Sequence, residues 1–450
     1  MHLRPSSMGA AASRSHEGGW WHKCRADTPG CKHVIHFNNA GAALQPQCVL
    51  DAVQHYLQEE AIWGGYETQR RLARQLSLPY TALAELLNCS PNEIAIVGSA
   101  TSAWAQVFHG IPFKPGDVIL TSVAEYGSNY LAFLQAQKRT GVRIQVIPET
   151  PEGDISIPHL QQLLQQQPRP VLVSISHVPT SSGRMYDAAA VGAAAAAAGV
   201  PFLLDACQTA GQVPLDVQQL QCDFLTGTSR KYFRGPRGIG FLYARNSTTA
   251  SATTITSSSS SVTAPDSSGR SQQGSSMSGW EPAMIDIHGA QWTGPSSYEL
   301  YDGAVRYEQY EVSMAAKAGF GAAVQYCLEQ DVARCWQRTQ QLAAQLRQLL
   351  EQHVPGLAIH DKGRQLCGIV SFTLRSHPDA AAVRQWLESR QPPINVSVSG
   401  AGSSRLDFTA RGLQEVLRAS VAYYNTEQEL ESLVQALQEL VTSEAAASHL

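Results

Sequence analysis

Pro201-Phe202-Leu203-Leu204-Asp205-Ala206-Cys207-Gln208 is a short apolar run that ends in a carboxylate. Downstream, Phe224-Leu225-Thr226-Gly227-Thr228-Ser229-Arg230-Lys231 has the same form and ends in an amine. Each run has the length of a buried strand, and each polar end falls where such a strand stops. Lys231 lies 26 positions after Asp205, enough for one strand and its connections.

Strand-like and helical segments alternate on both sides of this pair. Strands are expected at Glu93–Gly98, Val118–Val123, Arg143–Pro148, Val171–His177, Pro201–Cys207, Phe224–Thr228 and Ile239–Ala244. Helices are expected at Trp104–His109, Asn129–Arg139, Ile157–Gln167 and Asp187–Ala198. Such alternation specifies an α/β fold with a mainly parallel seven-stranded sheet covered on both faces. Ligands of these sheets bind at the carboxyl ends of the strands, where the two polar endings sit.

Residues 1–33 read as a flexible tail and 34–311 as a large ligand-binding domain. Within the latter, 246–279 is dominated by Ser and Thr and is expected to be a disordered insert, because it has too little apolar surface to offset ordering entropy. Helices at Met314–Gln330 and Ala333–Glu351, followed by mixed strands and helices, place a smaller α+β domain at 312–450.

The formal charge of −4 gives no basic surplus to recruit nucleic acid. No apolar run reaches the eighteen or so residues needed to span a bilayer. Nine cysteines without scaffold-like spacing suit a reducing compartment. His22, Cys24, Cys31, His33 and His36 gather near the start, but their spacing does not match a zinc knuckle, so no metal is expected. A cytoplasmic location is expected. The Arg, Ser and Ala of the first thirty residues leave a faint transit-peptide flavour.

Lys231 is flanked by Arg230, Arg234 and Arg237, and cationic neighbours with partial burial lower an amine pKa. That suits a Schiff-base lysine; a solvated basic turn is the alternative. Asp205, at the end of an apolar strand, needs a cationic partner, which a pyridinium nitrogen would supply. It could equally cap a helix. Gln208 could donate to a ring oxygen. An amine and an acid so placed are what pyridoxal 5′-phosphate (PLP) requires. Gly98-Ser99-Ala100-Thr101-Ser102-Ala103 puts small residues at a helix start, where amides can meet a phosphate, and Thr228 and Arg230 add a hydroxyl and a cation. Tyr126 could stack on a flat ring or pack at a rim. Arg418, in a strand-like segment, suits a substrate carboxylate or a structural ion pair.

Taken in order, Asn38-Asn39-Ala40-Gly41, Ala100-Thr101-Ser102, Glu125-Tyr126, Ser176-His177-Val178-Pro179, Asp205-Ala206-Cys207-Gln208, Arg230-Lys231 and Arg418 with Tyr424-Asn425-Thr426 resemble the class V aminotransferase family of fold-type I PLP enzymes. The resemblance runs from about His36 to Leu440. It implies that Lys231 carries the cofactor and acts as general base, that Asp205 pairs with the ring nitrogen, and that Gln208 meets the phenolate oxygen. Ala100, Thr101, Thr228 and Arg230 would hold phosphate, and Asn39 and Arg418 would bind an α-amino acid. Thr293, in Trp292-Thr293-Gly294, looks like the family's threonine that reaches a neighbouring subunit, which implies a homodimer.

Three departures bear on the reaction. Tyr126 stands where many cysteine desulfurases of the family carry a stacking histidine. Thr180 stands where they often have asparagine. Residues 398–413, the loop before Arg418, contain no cysteine to accept sulfur. Arg234-Gly235-Pro236-Arg237-Gly238 and Arg306-Tyr307-Glu308 look more like the isopenicillin N epimerase-like and ergothioneine lyase-like branch. The expectation is therefore transamination of an α-amino acid. A carbon–sulfur β-lyase acting on a cysteine-derived sulfoxide is the alternative, with epimerase-like or non-catalytic roles behind. Cysteine desulfurase activity is disfavoured, and Cys207 is expected to pack away from the cofactor.

Overall fold

A computed structural model describes residues 19–246 and 280–447. The first eighteen residues of the expected tail, and 247–279 of the expected disordered insert, lie outside the described residues.

Seven strands form the central sheet: β1 (Ile94–Val97), β2 (Val118–Thr121), β3 (Arg143–Val146), β4 (Pro170–Ser176), β5 (Phe202–Asp205), β6 (Phe224–Thr228) and β7 (Gly240–Ala244). Their order is β1-β7-β6-β5-β4-β2-β3, and only β7 runs antiparallel to its neighbours. The sheet is buried on both faces because alternate side chains enter different layers. Phe202, Leu204 and Leu225 join one core with Val173 and Ile175. Leu203 and Phe224 join the opposite core with Leu172 and Trp104. Every residue of β1, β2, β5, β6 and β7 is buried, the pattern of an interior parallel sheet.

A hairpin follows, β8 (Ala290–Gly294) and β9 (Ser297–Leu300). The sequence pattern gave no sign of it, because its residues are mostly exposed and lack core periodicity. A second, antiparallel sheet contains β10 (Leu357–Ile359), β11 (Ile369–Leu374), β12 (Ser397–Gly400) and β13 (Glu415–Ser420), in the order β10-β11-β13-β12. Helices Val332–His353, Ala380–Glu388 and Glu427–Ala447 accompany it.

The described residues place three segments differently from the sequence reading. Trp20–Ala26, within the expected tail, is a helix. Distant groups hold it: Trp20 stacks on Tyr423 at 5.8 Å, Arg334 and Arg338 lie over Trp20 and Trp21 at 4.2 and 4.0 Å, and Arg25 pairs with Glu429 at 2.7 Å. Next, Ile35 and His36 pair with Ile394 and Asn395, so this start of the expected large domain packs with the small one. Finally, the Met314–Glu329 helix, expected in the small domain, lies in the large core. Phe320 meets Phe233 and Phe241 at 5.6 and 6.2 Å, and the next helix, Val332–His353, supplies Leu342 and Leu346 to the small core. No helix among the described residues is long and apolar enough to cross a membrane.

Candidate active site

A cleft opens at the carboxyl ends of β4, β5 and β6. It gathers Ala100, Thr101, Tyr126, Asp205, Gln208, Thr228, Arg230 and Lys231, all singled out in the sequence. Arg418 lies one residue behind the wall, against Thr180. Asn39 and Thr293 are not brought to this cleft.

Asp205 ends β5 and is buried. Its Oδ1 accepts the Cys207 amide at 2.9 Å, and its Oδ2 accepts Asn129 Nδ2 at 3.0 Å. No lysine or arginine lies within ion-pair distance of it among the described residues. Lys231 sits across the cleft on the turn after β6, with its amine free of hydrogen bonds among the described residues. Burial lowers its pKa most; Arg230 and Arg418 push the same way, and Cys207 and Asp205 oppose them. Of the flanking cations read from the sequence, Arg230 contributes, but loss of water is the larger cause.

One end of the cleft is built for an anion. Ala100 and Thr101 open the Ala100–Phe108 helix, capped by Ser99 Oγ accepting from the Ser102 amide at 3.0 Å. The first-turn amides beside the cleft have no partner within the helix. Gly240 on β7 lets the backbone pass here, since a Cβ would stand 2.7 Å from the Ala100 nitrogen. Thr228 and Arg230 face the same region. Arg230 also donates to the Gly41 carbonyl, and burial together with Arg237 depresses its pKa.

Other placements differ from expectation. Gln208 donates from Nε2 to Ala40 O and Thr180 Oγ1, both at 3.2 Å, while its buried Oε1 has no partner. Asn39 is fully buried: its Nδ2 donates to Ser420 O at 2.7 Å and its Oδ1 accepts from Tyr424. It ties the chain start to β13, and the preceding Asn38 instead faces Arg418, accepting from Nη2 at 3.4 Å. Cys207 lines the cleft, contrary to the packing expected by strand alternation. The strand stops at Asp205, so alternation does not reach position 207. Burial, then Asp205, raises the Cys207 thiol well above its ordinary value. Tyr126 caps the Gly127–Thr140 helix beside the cleft. Thr293 lies on the exposed β8–β9 hairpin, bonded to Ser297 Oγ at 3.0 Å.

Arg418 is 5% exposed. Its Nε donates to Ser397 Oγ at 2.9 Å, and its Nη1 to the Thr180 carbonyl and hydroxyl at 2.5 and 3.0 Å. No carboxylate pairs with it among the described residues. Burial brings its pKa down to about 10. A buried, unpaired guanidinium is costly, and an incoming anion would relieve it.

The sequence reading quoted Glu125 in a motif and set Asn129 at a helix start, but gave neither a role. Both are buried beneath Asp205. The signal was present: a carboxylate and an amide one helical turn apart, after a buried strand.

A sequence profile described as aminotransferase class-V matches residues 35–433. The chain is 22% identical to a probable cysteine desulfurase of Methanothermobacter thermautotrophicus, over 92% of this chain and 97% of that protein. It superposes on the apo cysteine desulfurase of Thermococcus onnurineus NA1 with a TM-score of 0.79 and 22% identity, covering 94% of this chain and 98% of that one. It also matches the cystine C–S lyase C-DES, solved with its product cysteine persulfide, at a TM-score of 0.75 and 22% identity, covering 92% and 99%.

Proposed function

Because the chain belongs to the class V aminotransferase family of fold-type I PLP enzymes, we propose that it cleaves the carbon–sulfur bond of a cysteine-derived α-amino acid. This reverses the order of the two readings drawn from the sequence, which put transamination first. Similarity to a curated cysteine desulfurase supports the change.

The cleft residues fit the family's cofactor. An unbonded amine, a buried carboxylate awaiting a cation, an orphaned Gln208 oxygen and a helix start with open amides all face one space. Lys231 would hold the aldehyde, Asp205 the ring nitrogen, and Ala100, Thr101, Thr228 and Arg230 the phosphate. When bound, PLP supplies an electron sink that acidifies the substrate Cα proton.

The chain's own groups do the rest. Arg418 binds and orients the substrate carboxylate, with Thr180 and Asn38 steadying it. Burial favours the neutral form of the Lys231 amine, the form that can take the Cα proton. The Cβ–S bond then breaks with its electron pair going to sulfur, which leaves as sulfide from cysteine, a persulfide from cystine or a sulfenate from a cysteine sulfoxide. Water converts the three-carbon remainder to pyruvate and ammonia.

Sulfur would leave the protein rather than load onto it. Residues 398–413 contain no cysteine, and the cleft cysteine, Cys207, is held as a thiol. We further propose a homodimer, in which the hairpin bearing Thr293 reaches the second copy. Trp292, 78% exposed, gives that hairpin an apolar surface to cover.

The observation that carries the amino-acid reading is Arg418, a buried cation with no internal anion. The test is incubation of the PLP-loaded protein with cysteine, cystine and cysteine sulfoxides, read by mass spectrometry. Pyruvate with ammonia and a released sulfur species is expected. A new amino acid made from an added keto acid, without pyruvate, would overturn the lyase reading in favour of transamination.

A further inference from the structure

Beneath Asp205 lies a second buried carboxylate. Glu125 is 2% exposed and meets no cation within ion-pair distance among the described residues. Four donors hold it: Ser176 Oγ at 2.6 Å, the Tyr126 amide at 2.8 Å, Asn129 Nδ2 at 2.9 Å and Thr121 Oγ1 at 3.1 Å. Thr121, Ser176 and Asp205 end β2, β4 and β5, three adjacent strands. The two acids thus share one end of the sheet, where bare carboxylates would repel each other.

Asn129 resolves that conflict. Its Nδ2 donates to Glu125 Oε1 at 2.9 Å and to Asp205 Oδ2 at 3.0 Å, using both amide hydrogens. Its place in the first turn of the Gly127–Thr140 helix fixes where the amide can reach. The Cys207 amide holds the other Asp205 oxygen, so the carboxylate cannot rotate without losing a bond.

We propose that Asn129 is a positioning residue for the cofactor: backed by Glu125, it fixes the Asp205 carboxylate that faces the ring nitrogen. This rests on the PLP reading and goes beyond it, since neither residue touches the cleft. Glu125 has a use in this arrangement that no packing role supplies. A charge on Glu125 orients the Asn129 hydrogens toward both acids. Burial raises its pKa to about 7, with Asp205 adding to the rise, so its charge changes near neutrality. The groups facing Asp205 itself are Asn129, the Cys207 thiol and Lys231, with Arg230 farther along the cleft.

The test uses the PLP-loaded full chain and two readouts other than turnover: cofactor dissociation and the pH midpoint of the visible band of lysine-bound cofactor. Asn129→Ala should weaken cofactor retention about tenfold, the scale of a lost hydrogen bond to a charge. Its band midpoint should rise by about one unit or more, as the ring loses its proton and repels the imine proton less. Glu125→Gln, of the same shape, should remove any step in the band near pH 7. The double variant should cost no more than Asn129→Ala, because the pair acts as one unit.

Both readouts unchanged in Asn129→Ala would overturn the inference, as would full additivity in the double variant. Should Asn129→Ala fail to fold, an unaltered pH profile in Glu125→Gln overturns it alone. A parent protein that never develops a visible band overturns the PLP reading and this inference together. A normal parent band with unaffected variants sinks only the inference.

Discussion

Two buried arginines show the same side chain put to opposite ends. Arg184 is 1% exposed and its charge is paired from within: Glu149 lies 2.5 Å away, Asp407 2.7 Å, and the Gly153 carbonyl 3.0 Å. Burial alone would lower its pKa, but Tyr186, Glu149 and Asp407 outweigh it and the net direction is upward. Arg418 is nearly as buried and meets only neutral oxygens, so burial wins and its pKa falls to about 10. Arg184 binds the Asp407 helix to the body of the protein. Arg418 has no carboxylate partner among the described residues, which suits the proposed role of receiving an anion from outside. Burial therefore says little about an arginine's purpose; the sign of what surrounds it says more.

The largest effect sets the scale for both. Lys231→Ala should remove the visible band of bound cofactor and cut turnover by about 10⁴-fold or more, as loss of the proton-transferring group demands. Yellow colour and residual lyase activity in that variant would show that the amine is not the reacting group, leaving Arg418 without a reaction to serve.

Next comes a direct contrast between the arginines. Arg184→Met should cost about 3 kcal/mol of stability, because it leaves Glu149 without a cationic partner and Asp407 with Arg411 alone. Denaturant unfolding would measure this. Arg418→Met should leave stability unchanged or raise it slightly, since a costly unpaired charge is gone, yet kcat/KM for the amino acid should fall about 100-fold or more. Equal stability losses in both variants would erase the distinction and make Arg418 a structural residue.

How far the sequence anticipates this contrast depends on where each partner lies. The β5 and β6 runs place Asp205, Gln208 and Lys231 because strand, turn and polar end are contiguous. Six of the seven central strands follow from local apolar runs for the same reason, and the edge strand β3 from the polar–apolar alternation of Arg143-Ile144-Gln145-Val146. Arg184 and its acids are spread over Glu149, Arg184 and Asp407, and no local pattern joins them. The Trp20–Ala26 helix escapes notice likewise, being held by Arg334, Arg338 and Glu429. Asn38 and Asn39 are adjacent and chemically identical, so sequence cannot say which turns to Arg418 and which to Tyr424. Glu125 was visible in a motif and Asn129 at a helix start, but their shared target arrives only when β2, β4 and β5 assemble.

A pH series sharpens the lesson for buried groups that lack opposite charge. Glu125 has its pKa raised from 4.5 to about 7, so its folded form binds the extra proton between those values. Its contribution is full below about 4.5 and is lost as pH rises through 7, on the order of 3 kcal/mol. His177 is the mirror case: burial lowers it from 6.5 to about 4, so its contribution grows as pH rises from 4 to 6.5. The two slopes oppose each other over most of this range. Unfolding free energies of Glu125→Gln minus the parent should rise with pH between about 4.5 and 7, and those of His177→Asn minus the parent should fall between about 4 and 6.5. A flat difference for Glu125→Gln would mean that its carboxyl titrates as in water, and that burial is offset there as fully as it is at Arg184.

The smallest effect extends the contrast to a group whose proposed partner lies in another copy. Thr293 stands on an exposed hairpin and bonds only Ser297 among the described residues, away from its own cleft. If the hairpin reaches a neighbouring phosphate, Thr293→Val removes one hydrogen bond and should weaken PLP retention about three- to tenfold, with assembly intact. Diluting the parent until it dissociates should produce the same loss. Trp292→Asp, which puts a charge into the surface to be covered, should lower both assembly and retention. Retention unchanged in Thr293→Val, with assembly lost in Trp292→Asp, would make the hairpin a packing element alone. Arg184 finds its partner in its own chain and Arg418, on the proposed reading, would find one in a substrate; the dilution result would place Thr293 with a third kind, satisfied by a second subunit.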